Sequence, residues 1–199
     1  TADICHLDIS AVSMLCDSLT SCCSSASCRK TASCCSFPER IKTVVLGSGI
    51  SFAAAEAYKL LRTKVQFSFA DERECHVIGF SSALTGEGKS LTAVNLAYSM
   101  SQLGKRVLLI DCDMRRPSIA EKLPVPKVPG LSEYLSGQTS GNNLIKLCGM
   151  EGEESAFHVI AAGRIPPNPM ELLSSSRMEK TLDNLRKHYD YILLDLPPV

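Results

Sequence analysis

The stretch "SSALTGEGKSLTAVNLA", residues 81–97, decides the fold. Within it Ala83, Leu84, Thr85, Gly86, Glu87, Gly88, Lys89 and Ser90 follow the phosphate-loop pattern, with Ala in place of the first Gly. Small residues at these positions let successive backbone N–H groups turn inward toward phosphate oxygens, and a helix opening near Lys89 adds its positive end. Lys89 is then placed to reach the β- and γ-phosphates, and Ser90 to offer its hydroxyl to Mg²⁺, a hard cation that prefers oxygen. A glycine-rich turn that happens to carry a lysine would look similar in isolation, so the flanks have to discriminate.

They do. Residues 75–80, "CHVIGF", form a short β-prone run immediately before the loop, and "SLTAVNLAYSMSQLG" after it repeats apolar residues at helical spacing until Gly104. Strand, loop and helix in that order are the context the motif requires. Further out, "RVLLID" (residues 106–111) reads as a strand buried on both faces, and "FHVIAAG" (157–163) and "DYILLDLPPV" (190–199) as a third and a fourth strand. "GLSEYLSG" between Gly130 and Gly137, and "SRMEKTLDNLRKHY", read as helices, and residues 138–155 as a polar surface excursion. Strands alternating with helices predict an α/β fold: a mostly parallel sheet with helices on both faces.

Two further motifs strengthen the ligand reading. "VLLIDCDMRRP" puts Asp111 and Asp113 two residues apart at a strand end, and "YILLDLPP" puts Asp195 at another. In open α/β sheets the ligand crevice lies outside the carboxyl ends of the strands, where the phosphate loop also sits. Each strand-terminal Asp alone has an ordinary alternative as a turn or helix cap. Three carboxylates and Lys89 converging on one edge point to a nucleotide and its metal.

Composition sets outer limits. The chain has 199 residues with 21 Lys+Arg against 21 Asp+Glu, a balance that favours a small ligand over nucleic acid or a membrane surface. Seven of its ten cysteines fall within the first 35 residues, in a Ser/Cys-rich stretch without a C-x-x-C pair or His at zinc-ligand spacing. Residues 1–46 therefore read as a low-complexity leader, either a disordered linker or sequence read out of frame, ahead of a domain over residues 47–199. Because the chain starts at Thr1 and stops after a strand-like run at Val199, both ends are expected to be cuts in a longer protein, with the domain truncated at its C-terminus.

Taken together, "TGEGKS", "LLIDCDMRRP", "ILLDLPPV", "EAYKLLRT", "GLSEYLSG" and "NPMELL" resemble, in order, the catalytic domain of the bacterial tyrosine kinases that govern capsular and exopolysaccharide synthesis. The resemblance runs over residues 51–199 and implies a P-loop NTPase fold, with ATP and Mg²⁺ as cofactors and protein-tyrosine (auto)kinase activity. It implies a nucleotide site of Thr85, Gly86, Glu87, Gly88, Lys89, Ser90 and Leu91; catalytic roles for Lys89, Asp111 and Asp113; and metal binding by Ser90, Asp111 and Asp195. Glu56, Lys59 and Arg62 match the family's E-x-x-R-x-x-R helix at a ring interface, with Lys in place of the first Arg, a residue that cannot reproduce a bidentate guanidinium contact. Further expectations are a membrane-spanning activator, fused or separate, a cytoplasmic location at the inner face of the membrane, and no nucleic-acid partner. The family's tyrosine-rich tail has no counterpart here, since Tyr58, Tyr98, Tyr134, Tyr189 and Tyr191 are dispersed. Two alternatives remain: an ATPase of the partition and division-site-selection type, which carries an extra Lys where Leu84 stands, and a nucleotide-binding regulatory subunit without transfer activity.

Overall fold

The computed structural model describes residues 51–69, 75–149 and 155–199, together with the backbone of Cys5–His6. Apart from those two residues, the leader read over residues 1–46 lies outside the described residues. Chain order is β1 (Cys5–His6), α1 (Phe52–Phe67), β2 (His76–Phe80), α2 (Lys89–Ser101), β3 (Val107–Asp111), α3 (Ile119–Lys122) and α4 (Leu131–Leu135). A 3-10 turn (Gly141–Asn143), β4 (Lys146–Gly149), β5 (Ala156–Ile160), α5 (Pro169–Leu173), α6 (Ser176–Arg186) and β6 (Tyr191–Asp195) follow. The strands form one sheet in the order β1-β2-β6-β3-β5-β4, parallel throughout except for β4, which runs antiparallel to β5.

The period of two along the strands divides the core into two layers. Ile78, Phe80, Val107, Leu109, Val159 and Leu193 face one layer, beneath α1 and α2. Val77, Leu108, Ile110, Ile160, Ile192 and Leu194 face the other, beneath α4 and α6. Burial on both faces explains why these strands are continuous apolar runs rather than alternating ones. It also makes the sheet a rigid base from which the strand ends project.

Two expectations need correction. Residues 138–155 are more than a surface excursion, because β4 lies within them and closes one sheet edge. Only Cys148 of its four residues is buried, so the strand owes its existence to pairing with β5 rather than to local apolar pattern. The three residues of α1 that match the ring-interface helix also part company. Lys59 Nζ and Glu56 Oε1 form an exposed ion pair at 2.8 Å, but Arg62 turns inward, its Nη1 donating to the Ser99 carbonyl of α2 at 2.7 Å.

Candidate functional site

Strand register builds the site. Asp111 and Asp195 are direct partners across β3 and β6, and Phe80 pairs with Asp195 on the other side, so three strand ends finish level. The Cys112 N–H donates to the Asp195 carbonyl at 2.9 Å and the Leu196 N–H to the Phe80 carbonyl at 2.9 Å, carrying the pairing past the strands. From Phe80 the chain turns through the phosphate loop into α2. Gly86 at φ 93° and Gly88 at φ 86° hold backbone conformations that a side chain would strain. Helix α2 therefore starts at Lys89 itself, directly above the strand ends.

Lys89 lies flat against them. Its Nζ is 2.6 Å from Asp195 Oδ1 and 3.6 Å from Asp113 Oδ2, with all three side chains buried. Asp195 Oδ2 is buried with no hydrogen-bond partner. Such an orphaned acceptor is costly in an apolar interior unless something donates to it or coordinates it. Burial pushes the Asp195 carboxyl above its ordinary range, while the Lys89 ammonium and the Ser90 hydroxyl pull it partway back. An anionic oxygen beside a serine hydroxyl suits a hard divalent cation that keeps waters and completes its shell with phosphate oxygens.

Asp111 is fully buried and already engaged. Its Oδ2 accepts from the Ser118 and Ile119 N–H groups at 3.2 and 3.1 Å, and its Oδ1 accepts from the Asp113 N–H at 3.2 Å. It thus fixes the start of α3, the capping role that the sequence offered as the alternative, and it does not line the cleft over the phosphate loop. Burial, reinforced by the neighbouring Asp195 charge, pushes its carboxyl up to about 7 against those three donors. Asp113 Oδ1 accepts from the Arg116 N–H at 3.0 Å.

A cleft of about 430 Å³ opens over this floor, walled by Thr85, Gly86, Gly88, Lys89, Ser90 and Leu91 from the loop and by Asp113 and Arg116 from beyond β3. Glu87 stands apart: its carboxylate folds back to accept the Leu84 N–H at 3.1 Å. Ser82, Ser118, Lys122 and Pro198 also wall the cleft. Sequence reading missed these four, because no motif spacing marks them and only the packing of α3 and the strand ends brings them in. Glu56 and Lys59 lie on α1, away from the cleft.

The comparisons with known proteins agree with this fold. Residues 75–199 match the family model described as AAA domain. Tyrosine-protein kinase YwqD of Bacillus subtilis is 37% identical over 145 residues, 73% of this chain and 59% of that protein. The kinase domain of the Escherichia coli tyrosine kinase ETK superposes with a TM-score of 0.66 at 35% identity, covering 73% of this chain and 55% of that one. The VpsO kinase domain does so with a TM-score of 0.58 at 32% identity, covering 74% of this chain and 73% of that one. The chain belongs to the bacterial tyrosine-kinase family of P-loop domains. Septum site-determining MinD of Pyrococcus horikoshii, at 22% identity and a TM-score of 0.51, shares the fold alone. Relative to YwqD and ETK, this P-loop domain spans less than two thirds of the chains it matches. Among its described residues no helix is long and apolar enough to cross a membrane.

Proposed function

We propose that the protein is an ATP-dependent protein-tyrosine kinase serving capsular or exopolysaccharide synthesis. The observation that carries this reading is Lys89 lying across Asp195 and Asp113 at the floor of a cleft lined by glycine backbone. Phosphoryl transfer needs positioning and charge neutralisation more than covalent chemistry, and this arrangement offers both. The loop backbone from Thr85 to Leu91 cradles the phosphates of ATP, and Lys89 donates to their oxygens. Ser90, Asp111 and Asp195 would hold Mg²⁺, which would supply positive charge to the phosphate chain. Asp111, raised to about 7, is suited to take the proton from an incoming tyrosine hydroxyl, and Asp113 orients Lys89.

The acceptor comes from elsewhere, since Tyr98, Tyr189 and Tyr191 are buried, Tyr58 and Tyr134 are half-buried, and Tyr134 stacks under Arg177. The same proposal includes a ring of copies with the exposed Glu56 and Lys59 face of α1 at the interface. A membrane-spanning activator, fused or separate, would hold the ring at the inner face of the membrane. The test is incubation of the protein with labelled ATP and Mg²⁺, comparing phosphotyrosine on wild type and Lys89→Met. Phosphotyrosine that disappears in the variant supports the kinase. Hydrolysis without phosphotyrosine would make it an ATPase of the partition type, and failure to bind nucleotide a regulatory subunit.

A further inference from the structure

The floor of the cleft carries more negative than positive formal charge. Asp113 and Asp195 meet there, and the cation between them, Lys89, is already held by both. A phosphate chain entering this space needs positive charge from the walls as well as from a metal. Two cations line the walls, Arg116 and Lys122. Arg116 is exposed and stands on the turn after β3, anchored through its backbone alone. Lys122 is placed differently.

Lys122 ends α3, whose first residue, Ile119, is fully buried against the α2 layer of the core and whose N-terminal N–H groups are gripped by Asp111. Leu123, the next residue, is buried as well. The lysine stem therefore leaves a fixed base and not a loose loop. Lys122 is half-buried, yet among the described residues it makes no ion pair, whereas Lys127 nearby is matched by Glu121 at 3.0 Å. A half-buried ammonium facing a cleft without a carboxylate of its own is a site for an anion.

We propose that Lys122 is a second phosphate-binding amine, contacting the nucleotide from the α3 wall opposite the phosphate loop. This rests on the nucleotide-binding reading above. Asp111, by holding the start of α3 in place, also positions this lysine.

The experiment is equilibrium titration of the whole chain with a fluorescent ribose-labelled ATP analogue and Mg²⁺, at two salt concentrations. Lys122→Ala is expected to weaken binding roughly tenfold, the scale of one charge-assisted hydrogen bond, and to flatten the salt dependence. Lys122→Arg should restore most of the affinity, and Lys127→Ala should bind as wild type. Melting curves for each variant separate lost affinity from lost folding. Unchanged affinity in Lys122→Ala, or equal losses in the Ala and Arg variants, would overturn the inference while leaving the nucleotide site standing. A wild-type chain that binds no nucleotide would remove both.

Discussion

Lys89 Nζ lies 2.6 Å from Asp195 Oδ1, joining the first residue of α2 to the end of the central strand β6, with both side chains buried. This contact ties the candidate ligand site to the stability of the fold. Removing one member of a buried pair strands the other, typically at about 3–5 kcal/mol. Lys89→Met should therefore lower the urea midpoint as well as abolish nucleotide binding. The double variant Lys89→Met with Asp195→Asn should regain much of the stability while remaining unable to bind. If the double variant is no more stable than the single one, the pair is not what holds these elements together.

Stability should also depend on pH through Asp111. Its folded-state carboxyl is raised to about 7, above the ordinary value near 3.9 of an unfolded chain. Between those values the folded protein holds a proton that the unfolded chain has released. Its stabilising contribution is complete below about pH 4 and is lost as pH rises through 7. Urea unfolding at pH 6 and pH 8 should show this fall, and Asp111→Asn should flatten it. The same variant forfeits part of the Ser118, Ile119 and Asp113 N–H contacts, so its stability at pH 6 should be below wild type.

Glu133 makes a knot that no motif announces. Its carboxylate accepts from the Gly130 N–H at 2.9 Å and the Arg164 N–H at 3.0 Å, fastening α4 to the loop after β5. Gly163 sits in this knot at φ 88°, where an added Cβ would overlap the Glu133 carboxylate. Gly163→Ala should cost at least the ~1–3 kcal/mol of a strained backbone position, read as a lowered urea midpoint. A variant as stable as wild type would mean the knot gives way easily.

Arg62 predicts a local effect. Its bonds to the Ser99 carbonyl and hydroxyl, at 2.7 and 3.3 Å, pin α1 to α2. Arg62→Ala should speed amide exchange across Phe52–Phe67 severalfold, with nucleotide affinity unchanged. Uniformly faster exchange over the sheet would show instead that Arg62 supports the whole fold.

The parts legible in the sequence are those where local pattern and tertiary role coincide. The loop around Gly86 and Gly88, the apolar runs of β2, β3 and β6, and the amphipathic α6 announce themselves through glycine placement and period. What escaped depends on partners far along the chain. β4 is a strand because β5 lies beside it, Arg62 turns inward because Ser99 waits there, and Lys122 reaches the cleft only through the packing of α3. The sequence reads Asp111 as facing the crevice, yet its Oδ2 is spent on backbone donors seven and eight residues ahead and its Oδ1 on the Asp113 N–H, a geometry no spacing rule reveals.

The sheet order carries a consequence for how the molecule comes together. β6, the latest strand in the sequence, occupies the slot between β2 and β3, more than 80 residues after either begins. Until it arrives the two earliest motifs have no common frame, and neither can be held at its working distance from the other. Assembly must therefore wait on a distant, late-emerging segment, a topology that slows folding and leaves two apolar strand edges open to chaperones in the interval.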